Sequence, residues 1–272
     1  MLHFSANLSW LYTEASFSER FALAHADGFS AVECLFPYQH LDAHHLTEQL
    51  QQFKLDLVLF NTPPGDWPKG DRGLAARPER KNEFRQGFVD IALPYAIATR
   101  CPRLHIMSGC CYPHDDLLLL QNTLLDNLAW ACHQAAVHGL AVTLEPINPV
   151  DMPHYFLTRQ AQAHQLVKWV GATNLGVQMD LYHCHRVEGH ILEQIHRWLP
   201  TGKVKHMQVA GFPGRHEPIP GDIDYPAAFQ LIEALGYQGY IGCEYQPAQT
   251  TQAGLPLWWT PEKFSAASGK KD

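Results

Sequence analysis

Few residues in this sequence carry a charge, and basic residues are not in excess. Asp, Glu, Lys and Arg make up 17% of the 272 residues, below the ~25% of an average soluble domain. So low a charge content argues against a disordered chain or a solvated interaction tail. The 20 basic and 27 acidic residues give a formal net charge of −7. Because nucleic-acid-binding proteins more often carry a basic excess, we expect no nucleic-acid partner.

Long apolar runs and regularly spaced cysteines are also missing. No apolar stretch approaches the ~18–20 residues that cross a bilayer. The opening segment MLHFSANLSWLYTE lacks the basic and apolar regions of a signal peptide. The seven cysteines are an odd number without the spacing of a disulfide scaffold, which predicts reduced thiols. We therefore expect a cytoplasmic protein with no membrane partner.

What the sequence does contain is a regular alternation of apolar runs and helix-length amphipathic stretches. The apolar runs predict eight strands, at 2–7, 29–36, 55–61, 103–109, 140–145, 174–180, 203–210 and 239–245. The amphipathic stretches predict helices at 16–27, 43–53, 80–99, 115–138, 158–170, 187–198 and 226–235. Eight strands alternating with helices in 272 residues predict an α/β fold, a single (β/α)8 TIM barrel over residues 1–260. The tail 261–272 is expected to be frayed.

A doubly wound open sheet is the alternative architecture for the same alternation. That fold usually shows a glycine fingerprint directly after its first strand. Here Asn7, Leu8 and Ser9 follow the first predicted strand, and neither GxGxxG nor GxxxxGK[ST] occurs in the sequence. The barrel is therefore the favoured prediction.

Four polar residues lie at or near the C-terminal ends of four successive predicted strands: Glu145, Asp180, Gln208 and Glu244. Side chains alternate across a strand, so these four share the face opposite the apolar residues and should point into the barrel. Barrel active sites lie at the C-terminal ends of the strands, where the four groups would converge. Three crowded carboxylates raise one another's pKa unless a cation neutralises them. Oxygen ligands without a thiolate suit Mg²⁺ or Mn²⁺, so a divalent metal is the expected cofactor.

Further residues near the strand ends are candidates for binding a substrate. His183 follows Asp180 by three residues. Arg215 comes shortly after the seventh strand and is the first candidate to bind a substrate carboxylate, with Arg72 and Lys69 the second. Both of these lie in the loop 62–73, which is rich in Pro and Gly and is expected to cover the substrate. By contrast, Glu33 is expected deep inside the barrel and paired, and His105 is expected to be structural.

Several stretches carry a resemblance to a known family. They are FSANLSWLYTE (4–14), VECLFPY (32–38), FNTPPGDWPKGDRG (60–73), LEPIN (144–148), QMDLYHCHRVEG (178–189), HMQVAGFPGRHEP (206–218) and GYQGYIGCEYQP (236–247). On these motifs the sequence resembles the hydroxypyruvate isomerase family, within the xylose isomerase-like barrels, over nearly its whole length. The closely related 2-oxo-tetronate isomerases share nearly all of the motifs, so both substrates stay open.

The resemblance implies an aldose–ketose-type isomerisation of a small hydroxy-keto acid, without a redox cofactor. It implies metal ligands at Glu145, Asp180, Gln208 and Glu244, where related epimerases have His at the third position. It also implies that Glu145 and Glu244 act as the acid/base pair. Hydroxypyruvate and tartronate semialdehyde differ by one proton moved between adjacent carbons, so one glutamate would remove a proton and the other return one.

Two other functions are compatible with a barrel of this class. A metal-dependent phosphodiesterase, such as an apurinic endonuclease, would need several His ligands for a zinc cluster and a basic surface, which the net charge of −7 opposes. A non-catalytic protein that binds sugar acids would not need two glutamates on opposite sides of a metal. Association with further copies of the chain is left open by the sequence.

Overall fold

Eight parallel strands form a closed barrel in the computed structural model, which describes residues 2–259. Each strand pairs with the next one along the chain, and β8 pairs with β1. The strands are β1 (His3–Asn7), β2 (Ala31–Cys34), β3 (Asp56–Asn61), β4 (Arg103–His105), β5 (Ala141–Leu144), β6 (Leu175–Asp180), β7 (Val204–Val209) and β8 (Tyr240–Cys243). The predicted barrel is confirmed, whereas the prediction of a frayed tail at 261–272 lies outside the described residues.

Helices connect the strands, as the amphipathic stretches predict. They are α1 (Arg20–Ala26), α2 (Ala43–Phe53), α3 (Lys81–Gly87), α4 (Leu93–Thr99), α5 (Leu117–Ala136), α6 (Gln160–Val170), α7 (Leu181–Glu188), α8 (Ile191–Trp198), α9 (Tyr225–Ala234) and a short α10 (Thr251–Gly254). A π turn over Phe88–Ala92 joins α3 to α4. It precedes Pro94, which has no N–H to continue the α-helical bonding. Across residues 2–259, no helix combines the length and apolarity that crossing a membrane requires.

The start of α7 differs from the prediction, which placed a helix only from residue 187. Asp180 is both the last residue of β6 and the N-cap of α7. Its Oδ1 accepts hydrogen bonds from the backbone N–H groups of Tyr182, at 2.7 Å, and His183, at 3.0 Å. Because the cap begins the helix at once, no loop separates β6 from α7.

The two faces of the strands have different environments. Alternate apolar residues such as Val142, Leu144, Val177 and Met179 are buried in the hydrophobic core. The intervening residues point into the barrel, and many of them are polar: Ser5, Glu33, Thr143, Gln178 and His206. Buried polar groups are stable only when they are hydrogen-bonded. The barrel interior therefore contains a connected network that supports the side chains above it.

Candidate active site

Three buried side chains converge at the C-terminal ends of β5 and β6. Glu145 directly follows β5, Asp180 ends β6, and His183 lies in the first turn of α7. One polar atom from each of the three lies within 4.8 Å of the others. Nε2 of His183 is 3.9 Å from Oε1 of Glu145 and 4.0 Å from Oδ2 of Asp180. The structure thus brings one polar atom from each of three side chains close together, and two of these side chains are the predicted metal ligands Glu145 and Asp180.

Each of these side chains has one polar atom fixed by the protein and another facing the centre of the group. Asp180 uses Oδ1 to cap α7, and Oε2 of Glu145 accepts a hydrogen bond from Nε2 of Gln178 at 2.9 Å. The remaining oxygens, Asp180 Oδ2 and Glu145 Oε1, are buried and have no hydrogen-bond partner within residues 2–259. Unpaired buried carboxylate oxygens are costly unless a cation or a donor meets them.

His183 is oriented by Asn148, and this contact determines which nitrogen carries its proton. The amide oxygen of Asn148 accepts from the backbone N–H groups of Val150 and Asp151. Its Nδ2 therefore faces Nδ1 of His183, at 2.6 Å, and donates to it. Burial lowers the pKa of His183, so the ring is neutral and its single N–H is on Nε2. His183 is placed to donate a hydrogen bond into the site, as its predicted substrate-binding role requires.

Glu244 and Gln208 lie across the barrel and are hydrogen-bonded to protein groups. Oε1 of Glu244 accepts from Arg215 at 2.7 Å, and its Oε2 accepts from Asn7 at 3.2 Å and from Nε2 of Gln208. Oε1 of Gln208 accepts from Gln178 at 2.7 Å. All four predicted metal ligands thus lie at the same end of the barrel. Among them, Oε1 of Glu145 and Oδ2 of Asp180 are the two side-chain oxygens without a hydrogen-bond partner within residues 2–259.

The carboxylates in this mouth are destabilised by burial and by one another. Burial raises the pKa of Glu145, and the charges of Glu244 and Asp180 raise it further. Burial raises the pKa of Glu244 to about 8 although Arg215 opposes the shift. Burial likewise raises the pKa of Asp180. A divalent cation would relieve this repulsion and meet the two unpaired oxygens, so the donor set fits a metal that prefers oxygen ligands.

Beneath these groups, Glu33 forms the floor of the site. Its two oxygens accept hydrogen bonds from Ser5 at 2.8 Å, Asn7 at 3.1 Å, and Gln208 and His206 at 2.7 Å. As expected from the sequence, Glu33 is fully buried and paired. Because Asn7 and Gln208 also bond Glu244, the floor and the site form one network.

The three predicted basic residues take different positions. Arg215 lines the cavity between the strand ends, stacks over Trp10 at 4.4 Å, and is 3.6 Å from Asp151. Lys69 is exposed and bonds Asp66, whereas Arg72 bonds the backbone and stacks over Trp67 at 4.0 Å. Within residues 2–259, Arg215 is the one Lys or Arg that lines this cavity.

The cavity itself is small and mostly enclosed by side chains. Its volume is about 80 Å³, far below the ~300–1,000 Å³ of sites for drug-sized ligands. Trp67 from the loop 62–73 lines it, so the loop is in position for the covering role that remains a prediction. Asn61 and His105, which end β3 and β4, also line it. Neither residue is given a functional role by the sequence pattern, in which Asn61 ends the third predicted strand and His105 lies within the fourth.

Comparisons with known proteins agree with this geometry. A family model described as xylose isomerase-like TIM barrel matches residues 21–261. The 2-oxo-tetronate isomerase of Cupriavidus necator is 47% identical over 261 residues, covering 96% of this chain and 98% of that protein. The hydroxypyruvate isomerase of Escherichia coli is 40% identical, covering 96% of this chain and 99% of that protein. A crystal structure from Brucella melitensis, named AP endonuclease, family 2, superposes with a TM-score of 0.90 at 44% identity, covering 94% of this chain and 97% of that one.

Proposed function

Because this chain belongs to the xylose isomerase-like TIM barrel family and is an isomerase of its hydroxypyruvate and 2-oxo-tetronate isomerase group, we propose that it moves a proton between C2 and C3 of a short 2-oxo acid. The reaction that the sequence predicts is hydroxypyruvate to tartronate semialdehyde. Isomerisation of 2-oxo-tetronate is the second candidate, favoured by the 47% identity to the Cupriavidus necator protein. The observation that carries the proposal is the pair Glu145 and Glu244, which follow β5 and β8 and line the same small cavity.

The proposed cofactor is one divalent cation, Mg²⁺ or Mn²⁺. Glu145 and Asp180 would hold it with their unpaired oxygens, and Glu244 and Gln208 are the other proposed ligands. When bound, such a cation would neutralise the carboxylates and polarise the oxygens on the two reacting carbons, which acidifies the C3–H bond. The buried, unpaired oxygens of Glu145 and Asp180 support this assignment.

The remaining chemistry belongs to the side chains of this chain. A carboxylate oxygen of one glutamate takes the proton from C3, and the other glutamate delivers a proton to C2 from the opposite side. The C3–H bond breaks and a C2–H bond forms, while the hydroxyl proton leaves the C3 oxygen and a proton arrives at the C2 oxygen. No electrons leave the substrate. Nε2–H of His183 donates to a substrate oxygen on which negative charge develops.

Arg215 is the proposed partner of the substrate carboxylate. It is the one Lys or Arg among residues 2–259 that lines the cavity, and its guanidinium carries more N–H donors than its bond to Glu244 occupies. Stacking on Trp10 holds the guanidinium plane in place. A guanidinium so fixed can bind a carboxylate without losing its contact with Glu244.

The test is a metal-dependent isomerisation assay that includes proton exchange. The metal-free protein is titrated with Mn²⁺ and assayed on hydroxypyruvate and on 2-oxo-tetronate in D₂O. Glu145→Gln and Glu244→Gln keep an oxygen but remove the base, so each should lose ~10²–10⁴-fold in kcat. The variant lacking the C3 base should incorporate no deuterium at C3, whereas the other variant can exchange C3 without forming product.

Glu193→Gln is the matched control, because the side chain of Glu193 is 80% exposed on α8. It should keep the wild-type rate. Near wild-type turnover by both active-site variants at saturating metal would refute the two-glutamate mechanism. Cleavage of an abasic-site duplex, with no isomerisation of either acid, would instead support the activity for which the Brucella melitensis structure is named.

A further inference from the structure

The end of the cavity formed by β3 and β4 contains a pair of side chains that the mechanism above does not use. Asn61 ends β3 and His105 ends β4, and both are buried. Oδ1 of Asn61 is 3.0 Å from Nδ1 of His105. Both residues line the cavity, and the other ring nitrogen of His105, Nε2, is 3.8 Å from Oε2 of Glu145.

The contact with Asn61 determines what His105 offers to the cavity. An amide oxygen only accepts, so Nδ1 of His105 carries a hydrogen and donates it. In the neutral ring, a hydrogen on Nδ1 leaves Nε2 with a free lone pair. Nε2 is buried and makes no hydrogen bond with any residue that the structure describes. Oε2 of Glu145, at 3.8 Å, is too far away to be its partner.

An unpartnered acceptor at this place has a defined preference. A carboxylate would be repelled by the lone pair, whereas a hydroxyl group would donate to it. In a ring of eight strands β4 lies directly opposite β8, so His105 is across the cavity from Glu244 and its partner Arg215. An acid whose carboxylate binds Arg215 would extend its far end toward His105, past apolar wall residues such as Met107.

The two candidate substrates differ at that far end. In hydroxypyruvate the one hydroxyl is on C3, a reacting carbon. A four-carbon 2-oxo-3,4-dihydroxy acid has a second hydroxyl on C4, beyond the reacting pair. We infer that Nε2 of His105, held by Asn61, accepts a hydrogen bond from this terminal hydroxyl and makes the enzyme selective for the four-carbon acid. This inference rests on the proposed function and names the substrate class of the same site.

The test first changes the substrate and leaves the protein intact. Wild-type enzyme loaded with Mn²⁺ is assayed on 2-oxo-tetronate and on 2-oxo-3-hydroxybutanoate, which lacks only the C4 hydroxyl. The ratio of the two kcat/KM values should be roughly 10–100, because the analogue leaves a buried acceptor unpaired. A ratio near one would overturn the inference without any variant having to fold.

The second part assigns this selectivity to His105. In His105→Phe, which keeps the ring but not the acceptor, the ratio should fall toward one. In His105→Gln, whose amide oxygen can occupy the place of Nε2, the ratio should recover. His133→Gln makes the same replacement at an exposed histidine on α5, outside the cavity, so it should keep the wild-type ratio.

The inference and the proposed function fail in different ways. A ratio that His105→Phe leaves unchanged would overturn the subsite alone, even if turnover of both substrates fell equally through the neighbouring Glu145. A wild-type enzyme that isomerises no 2-oxo acid at any metal concentration would overturn the proposed function and the subsite together.

Discussion

Glu33→Gln is expected to destabilise the barrel although it replaces only one oxygen of the side chain by an NH₂ group. The two oxygens of Glu33 accept from four donors, Asn7 and Gln208 at Oε1 and Ser5 and His206 at Oε2. An NH₂ group in place of Oε1 would face the amide donors of Asn7 and Gln208, and one in place of Oε2 would require Ser5 and His206 to turn their hydrogens away and accept from it. Because one buried group left unpaired costs about 1–3 kcal/mol, we expect Glu33→Gln to lower the free energy of unfolding by roughly 1–3 kcal/mol.

Urea unfolding at pH 7 measures this loss, with exposed Glu193→Gln expected to stay within about 0.5 kcal/mol of wild type. Burial alone would raise the pKa of Glu33, but its contacts with His206, Gln208 and Ser5 outweigh burial and lower it. The stabilisation is therefore present above the unfolded pKa of about 4.3 and is lost as pH falls through the lower folded pKa. The difference in the free energy of unfolding between the wild type and Glu33→Gln should therefore become smaller as the pH is lowered. A loss under about 1 kcal/mol at pH 7 would refute the reasoning.

Three further predictions follow from the described contacts. In urea unfolding, Gly73→Ala should lower the free energy of unfolding by at least about 2 kcal/mol more than Gly70→Ala. Both glycines have a left-handed φ, which costs any side chain ~1–2 kcal/mol, but only at Gly73 would a Cβ meet the backbone, at 2.3 Å. Equal losses of stability in the two variants would refute this prediction. Because burial lowers the pKa of His105 to about 3, the stability of the wild type should fall as the pH is lowered from about 6.5 to 3, and this group should contribute at most about 5 kcal/mol of the loss. The stability of His105→Phe should fall less steeply over the same pH range. An identical pH dependence in the two proteins would contradict the lowered pKa. Mn²⁺ at about 100 times its Kd should stabilise the wild type by about 2.7 kcal/mol, and a thermal shift retained by Asp180→Asn would argue against Asp180 as a ligand.

The fold and the positions of the main site residues could be predicted from the sequence. Strands alternate apolar and polar residues with a period of two, so the inward face of each strand is readable without coordinates. That parity placed Glu145, Asp180, Gln208 and Glu244 at one mouth of the barrel. Closure of the sheet then brings together residues that are far apart in the chain.

Other features depend on packing that no local pattern encodes. Lys69 and Arg72 lie in an irregular loop, where side-chain direction is set by neighbours such as Asp66 and Trp67 rather than by a period. The start of α7 was missed because Asp180 reads as a strand end and its role as a cap is not visible in an apolar pattern. His105 was expected to be structural because the sequence does not show which atoms its ring contacts. Only the structure shows that Asn61, 44 residues away in sequence, bonds Nδ1 and leaves Nε2 without a partner among the described residues.

The direct passage from β6 into α7 has a consequence for how this barrel can change its substrate. The carboxyl group of Asp180 starts the helix with Oδ1 and directs Oδ2 toward His183, so residue 180 cannot shift along the chain without losing one of the two contacts. The long connections after β3 and β7 are fixed only at particular residues, such as Gly73 against the Met107 backbone and Arg215 against Glu244, and elsewhere they can vary in length. Redesign for a larger acid would therefore begin in those connections and leave the β6–α7 corner as the fixed point around which a new pocket is built.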